Sequence, residues 1–355
     1  MNQRITVLGA GSSGMATAAW LTRQGWQVTL WDTPGQSADF SPIQQQGGIQ
    51  IQGGAGYNGL FMPYRLTTDL EEALADTEQI IVCTSAARHP EIAELCAPLA
   101  REGQAFLLAP GNFGSFILRA ALNKLGKTGV VTAETCGGLW ACRRTGPGQV
   151  FVASPLKDTI KAAALPAGDN DRLTRQFEGI LPLAAGTNVL EVSLNSPNVI
   201  THVGGTALNA GAVDRKGDSF AFFLDGLSES VIRCFNRLEE ERNGLLERLE
   251  LQVYNPSSDG FMRTLMDYGS HRELDAFRSL DGPSSFAHRY VSEDAACGVA
   301  MLVSLGRQYQ VPMPLTEAFL TVVQTINGTD YLATGRTLER LDIAKPTVEQ
   351  LMECL

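Results

Sequence analysis

The opening of the chain, as far as Asp32, restricts the folds it can adopt. Ile5, Thr6, Val7 and Leu8 form a short apolar run, and Gly9-Ala10-Gly11-Ser12-Ser13-Gly14 follows at once. Met15 to Gln24 reads as a helix, Gly25 stands where a glycine ends one, and Trp26 to Asp32 reads as a second strand. Strand, turn, helix and strand within about thirty residues make one βαβ unit. In such a turn Gly9 permits the bend, Gly11 lets the backbone approach a pyrophosphate, and Gly14 lets the helix pack closely on the sheet. The N–H groups around Ala10, Ser12 and Ser13 then face the phosphates. The G-x-G-x-x-G spacing is weak alone, but here the flanking elements and the acid at Asp32 supply the context of a dinucleotide-binding Rossmann unit.

Asp32 ends the second strand, where a carboxylate accepts hydrogen bonds from the adenine ribose. Its charge repels a 2′-phosphate and no Arg follows immediately, so the expected coenzyme is NAD or NADP with NADH favoured. The alternative is an ordinary turn former before Pro34, and the insertion that follows is a place for a distant cation. Cys83-Thr84-Ser85 and Pro110-Gly111-Asn112 end two later strands. Ligands of doubly wound sheets lie outside such strand ends, so both segments are expected at the coenzyme, unless they only turn the chain.

Strand-like and helical runs alternate through the first half. Six glycines between Gly47 and Gly59 surround the alternating Ile49 and Ile51, which suggests a hairpin-like insertion. Val150 to Ala153 and Thr159 to Leu165 look like an added strand pair, and Val189 to Leu194 like a last strand. Beyond that the pattern is helical. The expected class is α/β: an N-terminal Rossmann doubly wound sheet over residues 1–188, then an all-α domain over 189–355. A length of 355 residues fits two cores better than one.

Composition narrows the function classes. The net charge of −10 and the lack of a Lys/Arg run argue against a nucleic-acid partner. No stretch of about 18 apolar residues and no signal-peptide pattern is present, so no membrane partner is expected. The seven cysteines are scattered without a Cys-x-x-Cys pair, which suits buried thiols in the cytoplasm better than disulfides or a metal site. A homodimer is compatible with all of this.

Of the four histidines, His89 precedes Pro90 at a helix start and His271 lies in a polar, solvated stretch. His202 opens the helical half, between Asn198-Val199-Ile200-Thr201 and Val203-Gly204-Gly205-Thr206. Hydride transfer needs a group that protonates or polarises the reacting atom, and histidine titrates in the right range; the other reading is a structural histidine. In His288-Arg289-Tyr290-Val291-Ser292-Glu293-Asp294, Arg289 is suited to a substrate carboxylate. Asp294 is suited to orienting a histidine. Alternatively Ser292 caps a helix whose first turn carries Glu293 and Asp294.

These segments coincide with a known family. The chain resembles the octopine/nopaline (opine) dehydrogenases, related to the 6-phosphogluconate dehydrogenase-like superfamily. The matching pieces are Gly9 to Gly14, Pro110 to Ser115, Ala141 to Gly148, Ala163 to Pro166, Asn198 to Gly211, Arg289 to Asp294 and Gly335 to Glu339. The sequence departs at Val203 and at Ala295-Ala296, and residues 252–285 match poorly. The resemblance implies an NAD(P)H-dependent reductive condensation. An α-keto acid and an amino acid, the small-molecule partners, form an imine that is reduced to a secondary-amine dicarboxylate. It also implies a helical domain closing over the Rossmann domain, His202 acting on the carbonyl, Asp294 supporting it and Arg289 holding the keto-acid carboxylate. The alternatives are a ketopantoate-reductase-like or 2-hydroxyacid reductase, and a dinucleotide-sensing regulator without catalysis.

Overall fold

The computed structural model describes residues 4–35 and 39–355. The chain divides into two compact units, Met1–Val189 and Leu190–Leu355.

The first unit is built on strands β1 (Arg4–Leu8), β2 (Gln27–Trp31), β3 (Ile49–Gly53), β4 (Gly59–Phe61), β5 (Arg65–Thr67), β6 (Gln79–Val82), β7 (Ala105–Leu108), β8 (Val131–Thr135), β9 (Cys142–Gly146), β10 (Gln149–Val152), β11 (Ile160–Leu165) and β12 (Leu183–Ala185). The main sheet runs β12-β11-β8-β7-β6-β1-β2-β5, and from β8 to β5 every pairing is parallel. This is the doubly wound order, whose direction of winding reverses beside β1. Side chains alternate across the sheet: Ile81 and Leu107 enter one apolar cluster, while Ile80, Val82, Phe106 and Leu108 enter the other. Both faces are therefore buried, which explains strands that read as unbroken apolar runs.

A second sheet, β4-β3-β10-β9, joins two distant stretches of chain. The expected hairpin around Ile49 and Ile51 is β3 with antiparallel β4. β10 adds parallel to β3. This sheet lies on the Ser12–Arg23 helix, where Trp140 donates its indole N–H to Thr17 Oγ1 (3.0 Å) and stacks obliquely on Trp20.

Two expectations about elements are corrected. The strands near 150 and 160 do not pair with each other: β10 belongs to the second sheet and β11 runs antiparallel to β8 in the first. Val189–Leu194 is a helix, not a strand. Four apolar residues in a stretch of six, with Glu191 and Ser193 between them, carry no decisive periodicity. Here tertiary contacts decide, since Glu191 is buried and accepts hydrogen bonds from the Gln252 N–H (3.0 Å) and the Tyr254 hydroxyl (2.6 Å).

The second unit contains no strand among the described residues. Its core helices are Asn198–Leu208, Glu229–Arg248, Ala300–Gln308 and Pro314–Asn327. Two buried carboxylates fix it from within. Glu241 accepts from the Leu315 and Thr316 N–H groups at one helix start, and Glu239 from the Ser258 N–H at another. Each satisfies helix-end donors that have no intrahelical partner.

Candidate active site

The glycine turn leaves β1 and enters the Ser12–Arg23 helix. Gly9 adopts φ +105°, a conformation that disfavours any side chain, and its N–H donates to the Trp31 carbonyl (2.7 Å). A Cβ on Gly14 would collide with the Gly9 carbonyl oxygen, whereas nothing lies within 4 Å of a Cβ built on Gly11. The turn is therefore closed beneath Gly14 and open above Gly11, the shape a pyrophosphate needs. No acidic residue stands in the first helical turn, so the N–H groups near Ser12 and Ser13 present an electropositive end.

Cys83, Thr84 and Ser85 follow β6, the neighbour of β1 on the far side of the switch point. The Cys83 thiol faces the Ser12–Arg23 helix, 3.6 Å from Thr17 Oγ1, and burial pushes it up to about 11. It packs beneath the glycine turn as a neutral thiol. Thr84 differs, because its hydroxyl is buried and has no hydrogen-bond partner among the described residues. Such a group usually marks a missing partner. Together with the gap above Gly11 it fits a bound dinucleotide.

Asp32, immediately after β2, is 2% exposed. It accepts from the Ala10 N–H (2.9 Å), its own neighbour's Thr33 N–H (2.8 Å) and Arg88 Nη1 (3.1 Å). Asp32 thus holds the glycine turn as well as marking the strand end. Arg88 had no sequence signal, since it lies 56 positions away. Glu134 is a second residue that the sequence did not reveal. It is buried and accepts from the Phe113 and Ser115 N–H groups and the Ser115 hydroxyl. It thereby fixes the Pro110-Gly111-Asn112 loop, in which Asn112 (φ +46°) and Phe113 (φ +65°) both take the left-handed conformation. Backbone strain of this kind costs about 1–3 kcal/mol per residue and clusters at functional sites.

In the helical unit, His202 sits midway along Asn198–Leu208 and Asp294 ends the helix Arg289–Asp294. Both are buried, with His202 Nδ1 2.8 Å from Asp294 Oδ2. An ionised carboxylate only accepts, so Nδ1 then carries the proton of this hydrogen bond. Burial pushes Asp294 up to about 7, against the downward pull of Arg289. The Tyr290 ring stacks on the imidazole at 3.5 Å and 9°, and Phe222 meets it edge-on at 6.2 Å. Phe222 reaches that position because residue 205 is glycine; a Cβ there would strike its ring.

Ser292 is not the cap of this helix. His288 is, its Nδ1 accepting the Tyr290 N–H (3.2 Å), while the Ser292 hydroxyl donates to Ala287 and His288 carbonyls. Arg289 is therefore the first helical residue, exposed, with its guanidinium 5.4 Å from the Tyr290 ring centroid. The helix continues as a π-helical turn, Ala295–Val299, an element found often at functional sites. The Arg336 N–H donates to the Ala296 carbonyl in that turn (2.7 Å), which gives the Gly335 to Glu339 motif a place in the architecture. Of the other two histidines, His89 is buried at the start of His89–Leu99 in the first unit, and His271 is exposed beside Glu273 (3.1 Å).

Comparison with known proteins follows the division of the chain. Residues 185–327 match the family model for the NAD/NADP octopine/nopaline dehydrogenase alpha-helical domain, and residues 5–164 match that for ketopantoate reductase PanE/ApbA. An opine dehydrogenase from Arthrobacter sp. (strain 1C) is 34% identical over 346 residues, covering 95% of this chain and 94% of that one. The chain belongs to the opine dehydrogenase family. It is an NAD(P)-dependent oxidoreductase acting on small molecules. A vitopine synthase from Allorhizobium ampelinum is 22% identical, with 99% of each chain covered. Among solved structures, octopine dehydrogenase with NADH and pyruvate aligns over 96% of both chains at 16% identity, TM-score 0.73. A ketopantoate reductase from Ralstonia eutropha aligns with TM-score 0.61 and 16% identity over 92% of this chain and 98% of that one. The reductase reading is not favoured, because that family's model matches only the Rossmann half, whereas His202, Arg289 and Asp294 lie in the span matched by the octopine/nopaline model. Enzyme-family membership also sets aside the non-catalytic regulator. No helix among the described residues is long and apolar enough to cross a membrane.

Proposed function

We propose that this opine dehydrogenase condenses an α-keto acid with the amino group of an amino acid and reduces the resulting imine to a secondary-amine dicarboxylate. The observation that carries this reading is the buried His202–Asp294 pair, 2.8 Å apart, with Arg289 on the same short helix as Asp294. Arg289 receives the keto-acid carboxylate in a two-pronged, charge-assisted contact. That contact orients the carbonyl toward His202. The imidazolium gives a proton to the carbonyl-derived oxygen as it leaves as water, and the imidazole takes one from the attacking amine. Asp294 holds the ring in one tautomer and stabilises its cation. A nicotinamide dinucleotide, when bound, would supply the hydride that reduces the imine. Gly9, Ala10, Gly11, Ser12, Ser13 and Gly14 hold its pyrophosphate, Asp32 stands at the ribose, and Thr84 and Ser85 line the far side of the turn over the packed Cys83. Residues 1–188 act as the coenzyme domain and 189–355 as the substrate domain.

The solved octopine dehydrogenase is bound to pyruvate in one structure and L-arginine in another, which supports a pyruvate-like keto acid as the first to try. The test is a matrix of keto acids against amino acids with both reduced coenzymes, products read by mass. Coenzyme oxidation only when both substrates are present, with a product mass equal to their condensation and reduction, is the expected result. Oxidation with the keto acid alone, yielding a hydroxy acid, would overturn it. The seven free cysteines support a reducing, cytoplasmic setting, and the homodimer is the assembly to test by light scattering.

A further inference from the structure

In a Rossmann unit the acid after the second strand reads the ribose hydroxyls, and its bare charge discourages a 2′-phosphate. Asp32 is not bare. Two backbone N–H groups and Arg88 occupy three of its roughly four acceptor positions. The Arg88 guanidinium neutralises the carboxylate and also donates through Nη2 to the Thr33 hydroxyl at 2.7 Å. A cation and a hydroxyl thus stand together two residues beyond the strand end.

We propose that Arg88 is the residue through which this protein accepts the 2′-phosphate of NADPH, so that one site serves both nicotinamide coenzymes. Three features favour this role over a purely structural tether. The Arg88 side chain is 20% exposed while Asp32 is 2% exposed, so the cation is at the rim and the anion beneath it. Nε and Nη2 also contact Glu91 at 3.1 and 3.3 Å, and Glu91 is 45% exposed. A surface carboxylate of that kind leaves its partner at little cost, which frees the two donors that a phosphate engages side by side. Thr33, a residue 9% exposed whose hydroxyl already accepts from Nη2, supplies the short polar neighbour that a 2′-hydroxyl needs when the phosphate is absent.

The proposal concerns coenzyme binding alone, and it is read without substrates, so its failure is separate from failure of the keto-acid and amine reading. NADH and NADPH are titrated into the full-length protein and followed by nucleotide fluorescence. Wild type should bind both. Arg88→Ala should weaken NADPH about tenfold or more relative to NADH, the worth of a hydrogen bond to a charged group. Glu91→Gln, which releases the guanidinium, should shift the same ratio the opposite way. Raising salt from about 0.05 M to about 0.5 M should weaken NADPH more than NADH in wild type. Equal losses of both coenzymes in Arg88→Ala would make Arg88 a tether and overturn the proposal, as would a wild type that does not bind NADPH. Should Arg88→Ala fail to fold, the Glu91→Gln ratio and the wild-type salt series decide alone: an unmoved ratio in both refutes it.

Discussion

His202 Nδ1 lies 2.8 Å from Asp294 Oδ2, although 92 positions of sequence separate them. Both side chains are buried, and one face of the imidazole is covered by Tyr290. The pair is consequently largely desolvated, which strengthens the interaction between its two members.

Replacing His202 by Ala should lower kcat by roughly 10²- to 10⁴-fold, the usual loss for a general acid–base. Steady-state kinetics with both substrates saturating checks this. Unchanged turnover removes His202 from the mechanism.

Asp294 gives a pH signature. Burial pushes its carboxyl from 3.8 up to about 7, so the folded protein holds this proton more tightly than the unfolded chain. The stability that this contributes is complete below about pH 4 and is lost as pH rises through about pH 7. Asp294→Asn keeps the neutral form throughout. Its Tm relative to wild type should therefore climb between about pH 4 and pH 7 and then level off. A difference that stays flat over that range would mean that Asp294 is ionised in the folded state throughout.

The Tyr290 ring stacks on His202 and is expected to position it. Tyr290→Phe keeps the ring stacked on His202, while Tyr290→Ala leaves the imidazole a void. Kcat should fall clearly further in Tyr290→Ala than in Tyr290→Phe, on the order of tenfold, as small misplacements cost more than that in favourable cases. Equal effects of the two substitutions would assign the hydroxyl, not the ring, the important part.

Arg289→Ala should raise the KM for the keto acid more than it lowers kcat, because a carboxylate contact is largely shared by ground and transition states. Arg289→Lys should restore it only in part, since an ammonium lacks the planar fork. An unaltered keto-acid KM gives Arg289 a structural role.

Gly14→Ala forces a methyl group against the Gly9 carbonyl oxygen, which is backbone and cannot turn aside. Overpacking of this kind costs about 1–3 kcal/mol. Both Tm and NADH affinity should drop. A variant with wild-type values in both would show that the helix can retreat from the turn without consequence.

Much of the first unit was legible because its signals are local. A buried parallel strand is an apolar run, a tight turn requires glycine at Gly9, and close helix packing requires it at Gly14. Those demands act within a few residues and leave a mark on the sequence. The all-helical character of the second unit was equally visible in its spacing. Val189–Leu194 is a helix where its pattern suggests a strand, because four apolar residues in six satisfy either, and the burial of Glu191 among contacts from residues 252 and 254 decides it. The pairing of β10 with β3, rather than with the strand that follows it, was likewise decided by what covers the Ser12–Arg23 helix.

The sites divide in the same way. His202, Arg289 and Asp294 were singled out by residue type and by family resemblance, yet nothing along the chain states that an imidazole and a carboxylate 92 positions apart share a hydrogen bond. Nor does it state that Arg88 neutralises Asp32, that Glu134 braces a left-handed loop, or that Tyr290 lies flat on His202. Sequence determined the elements and the chemical groups they carry, since propensity and periodicity are short-range. Tertiary structure alone decided which charges are paired and which side chains are desolvated, because Coulomb attraction and burial depend on distance through space rather than separation along the chain.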